Sequence, residues 1–190
     1  MAIDGVDGAG KTVLADHLAA VLRTNSRHVV RVSADDFHNP GLIRHRRGRS
    51  SPEGFWLDSY DYAALRTRAL DPFGPGGSLR YQPACHDLAT DEPLDPPVQT
   101  APPGAVQVVD GLFLHRDELA DGWDLSVFLQ VPFAVSVRRL AARDGTHVDP
   151  QHQSLVRYVE GQQLYFTACQ PWQRADFVID ATDLDAPTLC

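Results

Sequence analysis

Residues 5–12 read GVDGAGKT, with the apolar run MAID before them and KTVLADHLAAVLR after. Few octapeptides restrict a fold so tightly. Glycine lets the backbone curl so that successive N–H groups face inward, and a helix opening immediately afterwards adds partial positive charge at the same point. Leu14, Leu18, Val21 and Leu22 recur at helical spacing in the segment that follows, so the octapeptide has the strand-before, helix-after context that a phosphate-binding turn requires. Gly5, Gly10, Lys11 and Thr12 fit G-x-x-x-x-G-K-[ST] in full. In that pattern Gly5, Asp7, Gly8, Ala9, Gly10 and Val13 lie around the phosphates, and Lys11 bridges the β- and γ-phosphates. Thr12 offers its hydroxyl to Mg2+. The bland alternative is a glycine-rich turn in an unrelated α/β protein, and motif and context together weigh against it.

The rest of the chain repeats the alternation. HVVRVSADD is a β-branched run ending in two aspartates, AVQVVDGLFL and WDLSVFLQV are apolar runs of the kind covered on both faces of a parallel sheet, and ADFVIDAT is a last strand. PFAVSVRRLAARD reads as a helix with Pro132 at its first position and Phe133, Val137, Leu140 and Ala141 on one stripe. A second late helix is expected over about 151–168, burying Leu155, Val159 and Phe166. This is an α/β chain with a mainly parallel sheet, whose ligands collect at the carboxyl ends of the strands. The exception is 71–104, which carries eight of the fourteen prolines and little periodicity. A segment of that length is either a binding loop or a surface insertion. The opening strand MAID is shorter than the five or six residues typical of a central strand. Either the chain starts upstream or this strand pairs only near its end.

At 190 residues with 43% hydrophobic content, the chain has the material for one well-packed domain, 1–190. A formal net charge of -8 leaves no overall basic field for a nucleic-acid backbone, so nucleic acid is not an expected partner. Cys85, Cys169 and Cys190 are odd in number and widely spaced, which suits a reducing, cytoplasmic setting. No apolar stretch approaches the roughly 20 residues of a spanning helix, so no membrane partner is expected. Association into a homo-oligomer stays open.

A carboxylate at the end of a strand beside the phosphate loop normally completes the metal site, and Asp110, ending AVQVVD, is best placed for it; a turn aspartate before Gly111 is the alternative. SADDFHNP supplies the other chemistry. Phosphoryl transfer to an alcohol needs a carboxylate that orients the hydroxyl and takes its proton. Asp35 and Asp36 both leave the second strand on the side where the phosphate loop opens, and because neighbouring residues of an extended segment point oppositely, only one can serve.

GVDGAGKT, SADDFHNP, VVDGLFLHRDEL, WDLSVFLQVP and RRLAARD, in that order, resemble the uridine kinase group of P-loop kinases, which includes pantothenate kinase and phosphoribulokinase. Bacterial uridine kinase-like proteins with SPEGF and DGLFLHR stretches are the nearest likeness. The resemblance covers almost the whole chain. It implies a P-loop nucleoside triphosphate hydrolase fold: a five-stranded parallel core in the order 2-3-1-4-5, helices on both faces, a lid over about 138–157 and an acceptor-binding insertion over about 71–104. It also implies ATP and Mg2+ as cosubstrate and cofactor, and a small-molecule acceptor. The family's D-x-F-[YH] motif falls on Asp35, Asp36, Phe37 and His38, which makes Asp35 the implied catalytic base. Its acidic residue after the third core strand falls on Asp110, and its R-x-x-x-R-D lid pattern on Arg139, Arg143 and Asp144. Spaced by four, the two arginines share one side of a helix where they can clamp ATP, or they form a solvated basic face.

The acceptor stretch departs from the family. Where uridine/cytidine kinases carry Tyr-Asp-Phe and a following His, this chain has CHDLATD. Asp87 matches the ribose-binding aspartate, His86 stands in place of tyrosine, and Thr90 or Asp91 stands near the usual histidine. Asp36, Phe37, His38, Tyr81, His86, Asp87 and Arg157 are therefore candidates to line the acceptor, with Phe37 and His38 able to stack on a ring. The run RHRRGRS, with Arg44, Arg46, Arg47 and Arg49, is either a solvated loop or a patch for an anionic acceptor such as a sugar phosphate. Other readings are a kinase of pantothenate or another small alcohol, and a nucleotide-dependent switch or assembly ATPase. Against the switch, no N-K-x-D-like guanine reader is present. GVDGAGK also resembles thymidylate kinases, but no Asp-Arg-Tyr or Asp-Arg-His follows a core strand.

Overall fold

A computed structural model describes all 190 residues. Its central sheet has six strands: β1 (Ala2–Gly5), β2 (Val29–Ser33), β3 (Val106–Asp110), β4 (Ser126–Gln130), β5 (Phe177–Asp180) and β6 (Thr188–Leu189). They lie in the order β6-β5-β4-β1-β3-β2; the first five in sequence are mutually parallel and β6 runs antiparallel to β5 at the edge. β1 is four residues long, yet all four pair with β4, and Ala2 and Ile3 also pair with β3. Pairing is thus not confined to its end. With β1 central and both neighbours reached by crossovers, the carboxyl ends of β1, β2 and β3 converge on one crevice.

The inner strands β1, β3 and β4 are covered on both faces, whereas β5 has no fully buried residue. Along β1 and β3, Ala2 and Val109 join one core while Ile3 and Val108 join the other. The larger core packs Phe37, Phe55, Leu65, Phe113, Leu114 and Tyr165 on one side; the smaller packs Val6, Ala15, Ala19, Val127 and Leu129 on the other.

Helix α1 (Lys11–Thr24) meets the sheet through Ala15 and Ala19, and Val21, expected on its buried stripe, is 57% exposed. The small side chains let the helix lie close, which tilts the stripe toward Leu14, Leu18 and Leu22. Helix α3 (Phe133–Asp144) begins one residue after Pro132, which caps it, and stops where Gly145 turns left-handed at φ 71°. The next long helix, α4 (Val156–Cys169), starts later than its sequence pattern suggests. Side chains between the two helices bond backbone instead: the Asp149 carboxylate accepts from Gln151 N at 2.9 Å, and His152 Nδ1 accepts from Ser154 N at 3.3 Å. Leu155 and Val159 are buried as expected, whereas Phe166 is only half-buried.

Helix α2 (Pro52–Asp58) lies so close across α4 that a Cβ on Gly161 would stand 2.8 Å from both Pro52 O and Phe55 Cδ1. Segment 71–104 forms two small antiparallel pairs, Arg80–Tyr81 with Gln99–Thr100 and His86–Asp87 with Glu92–Pro93. No helix is long and apolar enough to cross a membrane.

Candidate functional site

The phosphate loop is built as its composition dictates. Gly8 and Gly10 take φ of 71° and 94°, conformations that side chains with a Cβ rarely adopt, and so bring the chain round into α1. No side chain caps α1, so its first amides stay directed into the crevice. Lys11 Nζ donates to Gly5 O at 3.1 Å and Val6 O at 2.9 Å, which folds the ammonium back over its own loop. Asp7 N donates to Gln162 Oε1 at 2.9 Å, pinning the loop to α4. Burial pushes the Asp7 carboxyl up, against the pull of Lys11 and with the help of Asp35. Val13 sits exposed on the first turn of α1.

Thr12 and Asp110, distant in sequence, meet here: Thr12 Oγ1 donates to Asp110 Oδ2 at 2.7 Å. The other carboxylate oxygen accepts from Arg31 Nη2 at 2.8 Å, and Arg31 also donates from Nη1 to Val108 O and from Nε to Asp16. Asp110 is 3% exposed, so this pairing supplies the charge partner its burial requires. A hydroxyl and a carboxylate at hydrogen-bond distance, beside an uncapped helix start and a lysine, form an oxygen donor set that suits Mg2+ with nucleotide phosphates.

β2 ends in a tight turn, Ala34–Phe37, capped by Ser33, whose hydroxyl accepts from Asp35 N at 3.3 Å. The turn splays the two aspartates apart. Asp35 Oδ1 accepts from Tyr60 OH at 2.9 Å, and the Tyr60 hydroxyl, enclosed and facing Asp35 and Asp7, is pushed well above its ordinary range. Asp36 is raised by desolvation and by the carboxylates of Asp35 and Asp110, which places it on the Asp110 side. His38 Nδ1 lies 2.7 Å from Asp35 O, and its ring tilts on Tyr60 at a centroid separation of 4.3 Å.

Several candidates for the acceptor are engaged elsewhere. Phe37 is fully buried in the larger core and has no face left for a ligand; the turn points it inward because Asp35 and Asp36 take the outward positions. Tyr81 packs against Phe73 and donates its hydroxyl to Gln99 Oε1 at 2.8 Å. Arg157 is buried, and its guanidinium donates to Arg44 O, Gly48 O and Ser51 O, so it braces the arginine-rich loop from beneath. Asp87 Oδ1 accepts from Ala89 N and Thr90 N, which shapes the hairpin turn. His86 is buried with Nε2 3.0 Å from Asp91 Oδ1. Cys85 N donates to Asp36 O at 2.9 Å, so this hairpin is tied directly to the Asp35 turn.

The two arginines of α3 part company. Arg139 donates to Gly8 O at 3.3 Å, Ala181 O at 2.8 Å and Thr182 O at 3.0 Å, linking the phosphate loop to the segment after β5. Arg143 pairs with Asp144 at 2.7 Å on the exposed end of the helix, where Asp7 and Asp35 also act on its charge.

Sequence reasoning passed over Arg31, Tyr60, Gln162 and a buried network under the loop. Fully buried Asp4 accepts from Gly5 N, Leu114 N, His115 N, His115 Nδ1 and Tyr165 OH. A signal for it existed: an aspartate inside an apolar strand implies buried donors.

No protein-family model and no curated protein sequence matches the chain. Among solved structures it is similar to a "possible uridine kinase" from Bacillus stearothermophilus at 22% identity and TM-score 0.73, with 93% of this chain and 85% of that one covered. It is also similar to phosphoribulokinase from Rhodobacter sphaeroides, at 14% identity and TM-score 0.62 over 94% of this chain and 69% of that one. A third is D-glycerate 3-kinase from Cryptococcus neoformans, at 12% identity and TM-score 0.56 over 100% and 88%. At such identities the likeness establishes the fold, which is that of the P-loop kinases. The neighbours come from the group that the ordered motifs resemble.

Proposed function

We propose that the protein is an ATP- and Mg2+-dependent kinase that transfers the γ-phosphoryl group to a hydroxyl of a nucleoside or related small metabolite. The observation that carries this reading is the convergence of two carboxylates with different partners on one crevice. Asp110 is bonded to Thr12 of the phosphate loop, and Asp35 stands on the adjoining turn with no cation within ion-pair distance. Amides of residues 8–12 and Lys11 hold the phosphates, with the Lys11 ammonium exchanging loop carbonyls for phosphate oxygens. Thr12 and Asp110 hold Mg2+, which neutralises charge on the phosphates when bound. Asp35 orients the acceptor hydroxyl and takes its proton, with Tyr60 OH fixing the carboxylate. Arg139 steadies the loop at Gly8 O, and Arg143, paired with Asp144 at the exposed end of α3, is within the influence of Asp7 and Asp35 and swings in to clamp the phosphates when the lid closes. The largely exposed residues 145–154, within the lid expected over about 138–157, serve to exclude water and limit ATP hydrolysis.

Asp35→Asn tests the assignment. It lowers the turnover of a productive acceptor by about a hundredfold or more and leaves ATP affinity within a few-fold of wild type. Turnover near the wild-type rate would show that Asp35 is not the base. The acceptor is found by ATP consumption against nucleosides, pantothenate, sugars and sugar phosphates.

A further inference from the structure

Beside the Asp35 turn lies an open basin of about 800 Å³, lined by Gly41, Leu42, Ile43, Arg44, His45, Arg46, Arg49 and Asp91. In a chain with a net charge of -8 this lining is positive: three guanidiniums face one carboxylate. That carboxylate arrives from the exposed hairpin tip, with Asp91 in the left-handed region at φ 60°. Its Oδ1 accepts from Gly41 N at 2.8 Å, Arg44 Nη2 at 2.8 Å and His86 Nε2 at 3.0 Å, and its Oδ2 from Gly41 N at 3.0 Å. Arg44 first, then the Gly41 amide, hold its carboxyl down to about 2. A backbone amide, a guanidinium and an imidazole converging on two oxygens form the donor set of an oxyanion site. Two other basic side chains of the lining have no such answer. Arg49 makes no ion pair, and His45 Nδ1 is enclosed without a hydrogen-bond partner while Arg157, Arg49 and Arg44 crowd its ring. Only Arg46 is engaged elsewhere, by Asp58.

The basin adjoins the reacting end of the crevice. His38, which holds Asp35 O, lies within the fields of both Arg44 and His86, and the Asp91 hairpin is bonded to Asp36 through Cys85 N. An acceptor whose hydroxyl meets Asp35 therefore extends toward Arg44 and Arg49.

We propose that this basin is the subsite for a phosphate monoester on the acceptor, and that Asp91 is its internal stand-in, holding Gly41 N–H, Arg44 and His86 until the acceptor's phosphate displaces it. The monoester is favoured because it is close to a dianion at neutral pH, which matches the two guanidiniums, Arg44 and Arg49, left without a carboxylate once Asp91 has been displaced, Arg46 being held by Asp58. Asp91 is 47% exposed in the loop joining two two-residue strands, so it can leave without disturbing the core. The proposal rests on the kinase reading for the acceptor's identity but not for the anion site itself.

Amide NMR of the whole chain during titration with inorganic phosphate tests it, because Gly41 and the phosphate-loop Gly10 report separately. Gly41 is expected to shift saturably, and in Asp91→Asn to saturate at about tenfold lower phosphate, since a tethered competitor has been removed. Asparagine tolerates the left-handed backbone, so the variant keeps the hairpin. In Arg44→Gln/Arg49→Gln the Gly41 response is lost while Gly10 still responds, which also shows that the variant is folded. A silent Gly41 in both wild type and Asp91→Asn, or a shift that sodium chloride reproduces, overturns the proposal. A second arm compares ATP consumption with a free sugar and with its phosphate monoester. Preference for the monoester that is lost in the double arginine variant supports the subsite. Gly41 binding with no consumption of ATP sinks the kinase reading and leaves the anion site standing.

Discussion

At the scale of single residues, the site is held by partners that compensate buried charge. Asp110 depends on Arg31 as well as Thr12, so Arg31→Met strands a carboxylate that is 3% exposed. The expected cost is about 2 kcal/mol in urea unfolding. Added Mg2+ restores more stability to the variant than to wild type, because the cation replaces the lost countercharge. Equal stabilisation of both proteins by Mg2+ would separate Asp110 from the metal. Asp7 has the opposite sign. Desolvation raises its folded pKa above the unfolded value, so the folded state binds the extra proton and stability falls as pH rises through that window. Asp7→Asn removes this penalty: the variant is the more stable protein at pH 7, and the difference disappears below about pH 4, where both states are protonated. Thermal melts across that range check the crossover. The residues legible in the sequence were those with one invariable geometry, such as Lys11 and Thr12 in the phosphate loop. Arg157 and Tyr81, candidates for the acceptor by sequence, are bonded to backbone carbonyls and to Gln99, partners that no local pattern in the sequence announces. Arg31 was invisible because it sits in a β-branched run where a lone arginine reads as a solvent-facing position.

At the scale of elements, strands and helices followed their periodicity, and the departures have local causes. Helix α4 starts late because the side chains of Asp149 and His152 satisfy the amides of Gln151 and Ser154, a competition that hydrophobic spacing does not record. The Pro-rich stretch 71–104 gave no periodicity because its order comes from two residue-pair bridges and from contacts to distant turns. Close approach of helices was equally hidden. Gly161 reads as a weak point in α4, yet α2 crosses at the height where a methyl group would meet Phe55 and Pro52 O. Gly161→Ala therefore lowers stability by about 1–3 kcal/mol, against the gain that alanine brings to an open helix. A rise in the urea midpoint would mean that α2 yields easily, and that the arginine-rich loop preceding it is less firmly seated than its bonds to Arg157 imply.

At the scale of the whole molecule, an acidic chain concentrates positive charge at two places, the phosphate loop and the Arg44–Arg49 basin, on either side of Asp35. The first was readable from one octapeptide. The second needed the fold to bring the tip at Asp91 across fifty residues to Gly41. The Arg139 guanidinium spans the opposite end of the crevice, with one hand on Gly8 O and the other on Ala181 O and Thr182 O. Three stretches far apart in the chain thereby share a single fastening. An opening that unseats α3 withdraws the guanidinium and releases the phosphate loop and the segment after β5 together, so protection of those two segments is tied to the stability of a helix that neither belongs to.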